Sequence, residues 1–136
     1  MKHVEVVCAL IMNDNNEIFI CKRGVGELAG KWEFPGGKVE KNETKEHAVE
    51  REIKEELSCT IKTIKYLCSA YYEYQNLKEP FSITMYAYLA KITEGYPILS
   101  EHTDSRWKEY NDFKNFDFAL ADVELIKKIK IDELKE

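Results

Sequence analysis

Residues 37–59 read GKVEKNETKEHAVEREIKEELSC. From Thr44 to Leu57 charged residues dominate, while Val49, Ile53 and Leu57 recur every four positions. That spacing predicts an amphipathic helix with one buried stripe. Thr44 suits its N-cap, and Glu46 suits the first turn, where an acid meets the positive end of the helix dipole. On a wheel turning about 100° per residue, Glu56 lies about 40° to one side of Glu52 and Glu55 about 60° to the other. Three carboxylates therefore share a narrow face beside the apolar stripe. At about 6 Å and an effective dielectric near 20, each pair repels by roughly 3 kcal/mol. Open water screens most of that repulsion, but a cleft beside the core does not. Hard divalent cations take oxygen ligands, and Mg²⁺ commonly uses one or two carboxylates with water and substrate phosphate. A bound cation is one way to complete such a face. The other is a solvated face in which Lys45, Arg51 and Lys54 pair with the glutamates at helical spacing, the commoner outcome for a Glu-rich helix taken alone.

Upstream, residues 4–12 and 17–23 are rich in Val, Ile, Leu, Phe and Cys and are separated by Asn13-Asp14-Asn15-Asn16, which predicts a β-hairpin. Gly24 to Lys31 is a loop with three glycines, and Trp32-Glu33-Phe34 is a short strand halted by Pro35-Gly36-Gly37. Downstream, β-branched and aromatic residues from Thr60 to Tyr74 and from Phe81 to Ile92 give two more strands. Residues 93–106 read as a polar loop, 111–116 as a short helix, and Ala121 to Lys130 as a second amphipathic helix. The pattern is a mixed sheet with at least two helices, hence α/β or α+β, in a single domain spanning 1–136.

With 136 residues the chain has room for one well-buried core. Its 44% hydrophobic and 33% charged content fits an ordinary globular protein. No segment is apolar enough to span a bilayer, and Val4–Met12 lacks the flanks of a secretory signal. Cys8, Cys21, Cys59 and Cys68 have no C-x-x-C spacing and read as reduced thiols of a cytoplasmic protein. A net charge of −5 argues against affinity for a nucleic-acid backbone, but not against a free nucleotide held by a few local cations and a metal.

Gly37, Glu43, Arg51, Glu52, Ile53, Glu55 and Glu56 stand in the order G-x5-E-x7-R-E-U-x-E-E, with U a bulky aliphatic residue. Six fixed polar or glycine identities at this spacing arise by chance on the order of once in ten thousand chains of this size. The pattern resembles the Nudix box of the Nudix hydrolases, here residues 37–59. Ser58 departs from it, standing where the family has a glycine that ends the helix in a left-handed conformation. Serine there costs roughly ~1 kcal/mol if the backbone is kept. Beyond the box, Asn15 to Ile20, Arg23 and Trp32 to Lys38 resemble the MutT-like subgroup. The stretch with Glu101, His102 and Trp107, and the pair Ala121-Asp122, look more like its CTP and 5-methyl-dCTP branch.

The resemblance implies an α/β/α sandwich around a central mixed β-sheet, with the box forming a loop, a helix and a loop. It implies Mg²⁺, or Mn²⁺ as substitute, held by the Gly36 carbonyl and by Glu52, Glu55 and Glu56. Arg51 orients Glu52, Glu43 braces the loop, and Glu101 adds a ligand or serves as base. Arg23 and Lys38 are the expected phosphate cations. Phe34 and one or two of Tyr71, Tyr72 and Tyr74 are candidates to line the base site. Asp122 is expected at the base edge: ionised it accepts from the amine of cytosine, and protonated it suits an oxidised guanine. An N-cap role for Asp122 in the last helix is an equally good local reading. The implied reaction turns a nucleoside triphosphate into a monophosphate and pyrophosphate, sanitising the nucleotide pool in support of DNA repair. A pyrimidine such as CTP or 5-methyl-dCTP stands slightly ahead of 8-oxo-dGTP. ADP-ribose, NADH or a dinucleoside polyphosphate ranks lower, as does a binding module without turnover. A small nucleotide is the only partner expected besides self-association; the chain is either a monomer or a homodimer, with neither nucleic acid polymer nor membrane.

Overall fold

The computed structural model describes residues 1–135. Strand β1 (Lys2–Ile11) lies inside a four-stranded mixed sheet, parallel to β6 (Phe81–Glu94) on one edge and antiparallel to β4 (Gly36–Lys38) on the other. Strand β5 (Thr60–Tyr74) pairs antiparallel with β6 and completes the order β4-β1-β6-β5. A second sheet, antiparallel, has the order β3-β2-β7, with β2 at Ile18–Arg23, β3 at Trp32–Glu33 and β7 at His102–Lys108.

Side-chain alternation in β1 separates two cores. Val7, Ala9 and Ile11, with Phe19 and Cys21 of β2, pack on Ala48, Val49, Ile53 and Leu57 of helix α1 (Lys45–Leu57). Cys8 and Leu10, with Ile18 and Ile20, pack on Ala121 and Leu125 of helix α2 (Leu120–Lys128) and on the aromatics Trp32, Phe34, Phe113 and Phe118. Helix, sheet and helix thus form the three layers of an α/β/α sandwich. The Thr44 hydroxyl accepts from His47 N at 3.1 Å, so α1 starts at the expected cap.

Several details differ from expectation. Residues 4–12 and 17–23 do not form an extended hairpin. The turn is present, with Asn13 Oδ1 accepting from Asn15 N and Glu17 N, but past the Met12–Ile18 bridge the strands enter different sheets. The reason is that both edges of β1 are already taken by β4 and β6. Gly36 and Gly37, expected to halt a strand, themselves form β4; a Cβ on Gly36 would meet the β1 backbone at Val7 and Cys8. The expected loop at 93–106 ends in strand β7, whose charged sequence suits an edge that pairs with β2 alone. The short helix at 111–116 is a 3₁₀ turn at Tyr110–Asn115. All four cysteines are free thiols, and among the described residues no helix is long and apolar enough to cross a membrane.

Candidate active site

Arg51 is the hub of the loop that enters α1. Its Nε and Nη2 grip the two oxygens of Glu43 at 2.6 and 2.9 Å, and Nη2 also donates to the Lys38 carbonyl at 3.0 Å. Its Nη1 donates to Glu52 at 2.9 Å and to Glu55 at 3.2 Å. Hydrogen bonds from Arg51 hold the Glu43 carboxyl down at about 2, while the same partners push the guanidinium up. The acidic face is therefore partly neutralised from within the chain. Lys45, one of the pairing cations weighed above, lies instead over the Tyr86 ring at 4.5 Å.

Glu52 and Glu56 point inward, with side chains 19% and 14% exposed, whereas Glu55 is 60% exposed. Glu52 presses against the glycine pair so closely that a Cβ on Gly37 would strike its carboxylate. Burial raises the Glu52 carboxyl, and burial carries Glu56 further, to about 7, with Glu33, Glu52 and Glu101 adding to the effect. These are hard oxygen donors whose charged form Arg51 and His102 compensate only in part, which is the donor set that Mg²⁺ or Mn²⁺ accepts.

A cavity of about 290 Å³ runs from Gly36, Gly37 and Glu56 to Asp122 and Tyr74, walled by apolar side chains of β1 and β6 that include Val6 and Met85. Glu101 stands at its mouth, where its carbonyl abuts Gly24: a Cβ there would come within 2.6 Å. Lys38 also lines the mouth. Phe34 borders the cavity, but its ring packs in the core against Phe113 and Phe118 at about 5.5 Å. Of the three tyrosines only Tyr74 faces the cavity; its hydroxyl accepts from Ala121 N at 2.9 Å, Tyr71 is exposed, and Tyr72 borders a separate groove.

Asp122 is 3% exposed and accepts from Phe34 N at 3.0 Å. The cap of α2 is Ala119, with no side-chain hydrogen bond, so the N-cap reading of Asp122 falls: the residue lies inside the first turn and its carboxylate reaches across to the β3–β4 connection. Burial, reinforced by Glu33, raises its carboxyl well above the usual range. Arg23, expected on phosphate, lines the same cavity and donates through Nη1 to Glu33 at 3.0 Å. Glu33 and His102 are the residues that sequence reasoning left without a role. His102 Nε2 lies 2.8 Å from Glu33 and 3.3 Å from Glu56, joining the inner end of the cavity to the carboxylates of α1. One signal was present: strand alternation puts Glu33, between two large aromatics, on the opposite face from them.

The NUDIX domain model matches residues 1–129. The chain belongs to the Nudix family. It is 35% identical to the 8-oxo-dGTP diphosphatase of Escherichia coli over 96% of this chain and 98% of that one. It is 30% identical to the CTP pyrophosphohydrolase of the same organism over 93% and 90%. A MutT Nudix hydrolase from Burkholderia pseudomallei superposes with a TM-score of 0.81 at 28% identity, covering 96% of this chain and all of its own. Like these Nudix relatives, the protein is a hydrolase of nucleotide phosphoanhydride bonds.

Proposed function

We propose that this Nudix hydrolase is a Mg²⁺-dependent pyrophosphohydrolase of nucleoside triphosphates, releasing a monophosphate and pyrophosphate and cleansing a cytoplasmic nucleotide pool. The observation that carries the reading is one cavity lined by the pair Gly36-Gly37, by Glu56 with Glu33 beside it across His102, and by the buried Asp122. A base and sugar fit the inner part and leave the polyphosphate against α1.

Mg²⁺, or Mn²⁺ in its place, would be held by the Gly36 carbonyl, Glu52, Glu55 and Glu56, with Glu101 as a further ligand or base, and would supply Lewis acidity toward water and phosphate. The chain does the positioning. Arg51 fixes Glu52 on the helix face against the Gly36-Gly37 pair. Glu56, which burial raises to about 7 without metal, is the carboxylate whose charged form a bound cation would favour most. Lys38 stands where a phosphate oxygen would pass. Arg23 fixes Glu33 beside His102 and is a second cation within reach of the cavity for phosphate.

A second reading concerns the base. The pyrimidine preference expected above relies on an ionised Asp122, but burial favours its protonated form. A carboxylic acid donates, so it suits the 6-oxygen of 8-oxo-guanine as well as N3 of cytosine. This places 8-oxo-dGTP beside CTP and 5-methyl-dCTP as the substrate.

Replacing Glu55 by Gln tests the catalytic reading, with pyrophosphate release measured in Mg²⁺ over a panel of nucleotides. The expected outcome is retained nucleotide binding with hydrolysis reduced at least a hundredfold. Wild-type turnover in Glu55→Gln, or activity that survives EDTA, would reject it.

A further inference from the structure

A group of different donor chemistry lies beside the helix carboxylates. Cys21 Sγ, a Glu33 carboxylate oxygen and an imidazole nitrogen of His102 all lie within 4.8 Å of one another. Strand pairing assembles them. Cys21 of β2 faces Glu33 of β3, and on the other edge of β2 a register shift after Lys22 sets Arg23 against His102 of β7. Glu56 of α1 adds a fourth donor, 3.3 Å from His102 Nε2.

The geometry points to a second metal site, in which Cys21, Glu33 and His102, with Glu56 as fourth ligand, bind Zn²⁺ and thereby shut down the enzyme. Thiolate, imidazole and carboxylate are the donors that zinc takes in tetrahedral sites, while Mg²⁺ takes oxygen. Bonds of about 2.0–2.3 Å set neighbouring donors roughly 3.3–3.8 Å apart. Cys21, Glu33 and His102, whose donor atoms already lie within 4.8 Å of one another, need shifts of only about 1 Å to reach that spacing, and Glu56 is placed by its contact with His102.

The imidazole already faces the carboxylates. His102 is 4% exposed, and its Nε2 lies 2.8 Å from Glu33 and 3.3 Å from Glu56. An ion held between those carboxylates would bind Nε2 and leave the ring proton on Nδ1. Glu33 is prepared in a second way. Arg23 holds its Oε1 at 3.0 Å, leaving Oε2 on the side of His102, the kind of outer contact that orients a metal-ligating carboxylate.

Charge closes as well. A thiolate and two carboxylates balance Zn²⁺ together with Arg23. On binding, the Cys21 S–H bond breaks and an S–Zn bond forms, any proton on Glu56 or on His102 Nε2 is displaced in the same way, and these protons leave to water, with no change of oxidation state. Glu33, Glu56 and His102 line the cavity, so the ion reaches them from solvent. Once held there it removes Glu56 from the catalytic carboxylates. The inhibition rests on the pyrophosphohydrolase reading; the binding does not.

The test uses the full chain and Co²⁺ as a spectroscopic substitute, titrated with Mg²⁺ in large excess. Wild type should develop near-ultraviolet thiolate-to-cobalt charge-transfer absorption, saturating at one ion per chain and bleached by Zn²⁺. Cys21→Ser and Cys21→Ala, with folding checked by thermal melting, should both lose that band. Zn²⁺ should inhibit pyrophosphate release by these variants at least tenfold more weakly than by wild type, with their rates in Mg²⁺ alone unchanged. No band in wild type, a band that survives in Cys21→Ala, or equal zinc inhibition of wild type and variants would overturn the proposal. If nucleotide hydrolysis is absent altogether, the cobalt spectrum still decides the site, so the two readings fail separately.

Discussion

Two acidic clusters stand within a few side chains of each other, and they are built on opposite principles. Around Arg51, the carboxylates of Glu43, Glu52 and Glu55 converge on a cation that belongs to the chain, and Glu43 is held down at about 2. Around His102, the acids Glu33 and Glu56 share one imidazole, with Asp122 nearby, and burial raises Glu56 to about 7 and Asp122 well above its ordinary value. The first cluster carries its own cation, which neutralises it in part and fixes the shape of the loop and helix. The second is left short of positive charge, as a region that receives a cation and a hydrogen-bonding base would be.

Removing the internal cation should have the largest effect. Arg51→Met leaves the Glu43 side chain, 7% exposed, with only His47 and the Glu40 N–H as partners and releases both Glu52 and the Lys38 carbonyl. Breaking one partner of a sheltered ion pair strands the other. The expected result is a fall in Tm on the order of 10 °C together with a loss of activity of a hundredfold or more. Thermal melts and kcat measured on one preparation check it. A variant that is stable yet inactive would show that Arg51 acts on substrate rather than on the scaffold.

The clusters should also separate by pH. Glu43 has a folded pKa below its unfolded value, so it contributes stability above about 4.5 that is lost as pH falls toward about 2. Glu56 has the reverse sign. Its folded pKa near 7 exceeds the unfolded value of 4.5, so the metal-free protein is favoured at pH 4.5 and loses up to about 3 kcal/mol by pH 8. Denaturant melts in EDTA should show that decline between pH 5 and 8, and saturating Mg²⁺ should remove most of it. Glu56→Gln should flatten the EDTA profile across the same window. A flat profile in wild type would mean that the second cluster is already compensated, and the contrast with the first would dissolve.

The first cluster was legible in the sequence and the second was not, for a physical reason. Helical periodicity is local, so Glu52, Glu55 and Glu56 could be placed on one face from spacing alone, and the resemblance supplied Glu43, Gly36 and the part played by Arg51. The His102 cluster depends on strand pairing across 69 residues, between Glu33 and His102. Its strand β7 carries too many charges to look like one. The same blindness explains the hairpin that opened into two sheets: alternation marks a strand but does not say which edge is already taken. Asp122 was found through resemblance, whereas its burial, which bears on its protonation, came only from the packing of α2 against the β3–β4 connection.

The smallest effect should come at the helix exit between the two clusters. Ser58 ends α1 at φ 57° and ψ 27°, the left-handed region, and its N–H reaches back to the Lys54 carbonyl. A side chain in that conformation crowds the backbone, a cost that glycine does not carry. Ser58 is exposed, so Ser58→Gly should raise stability by about 1 kcal/mol. The added freedom of the unfolded chain would offset part of that gain. The next residues, Cys59 and Thr60, lead into β5, and Ser100 Oγ donates to the Glu56 carbonyl at 3.0 Å, so the last turn of α1 is fixed from a second side. Because of that tether kcat and KM should stay at wild-type values, as urea melts and initial rates would show. A change in kcat at constant stability would mean that strain at Ser58 is transmitted through the last turn of the helix to Glu55 and Glu56, making the helix exit part of the site rather than only its anchor.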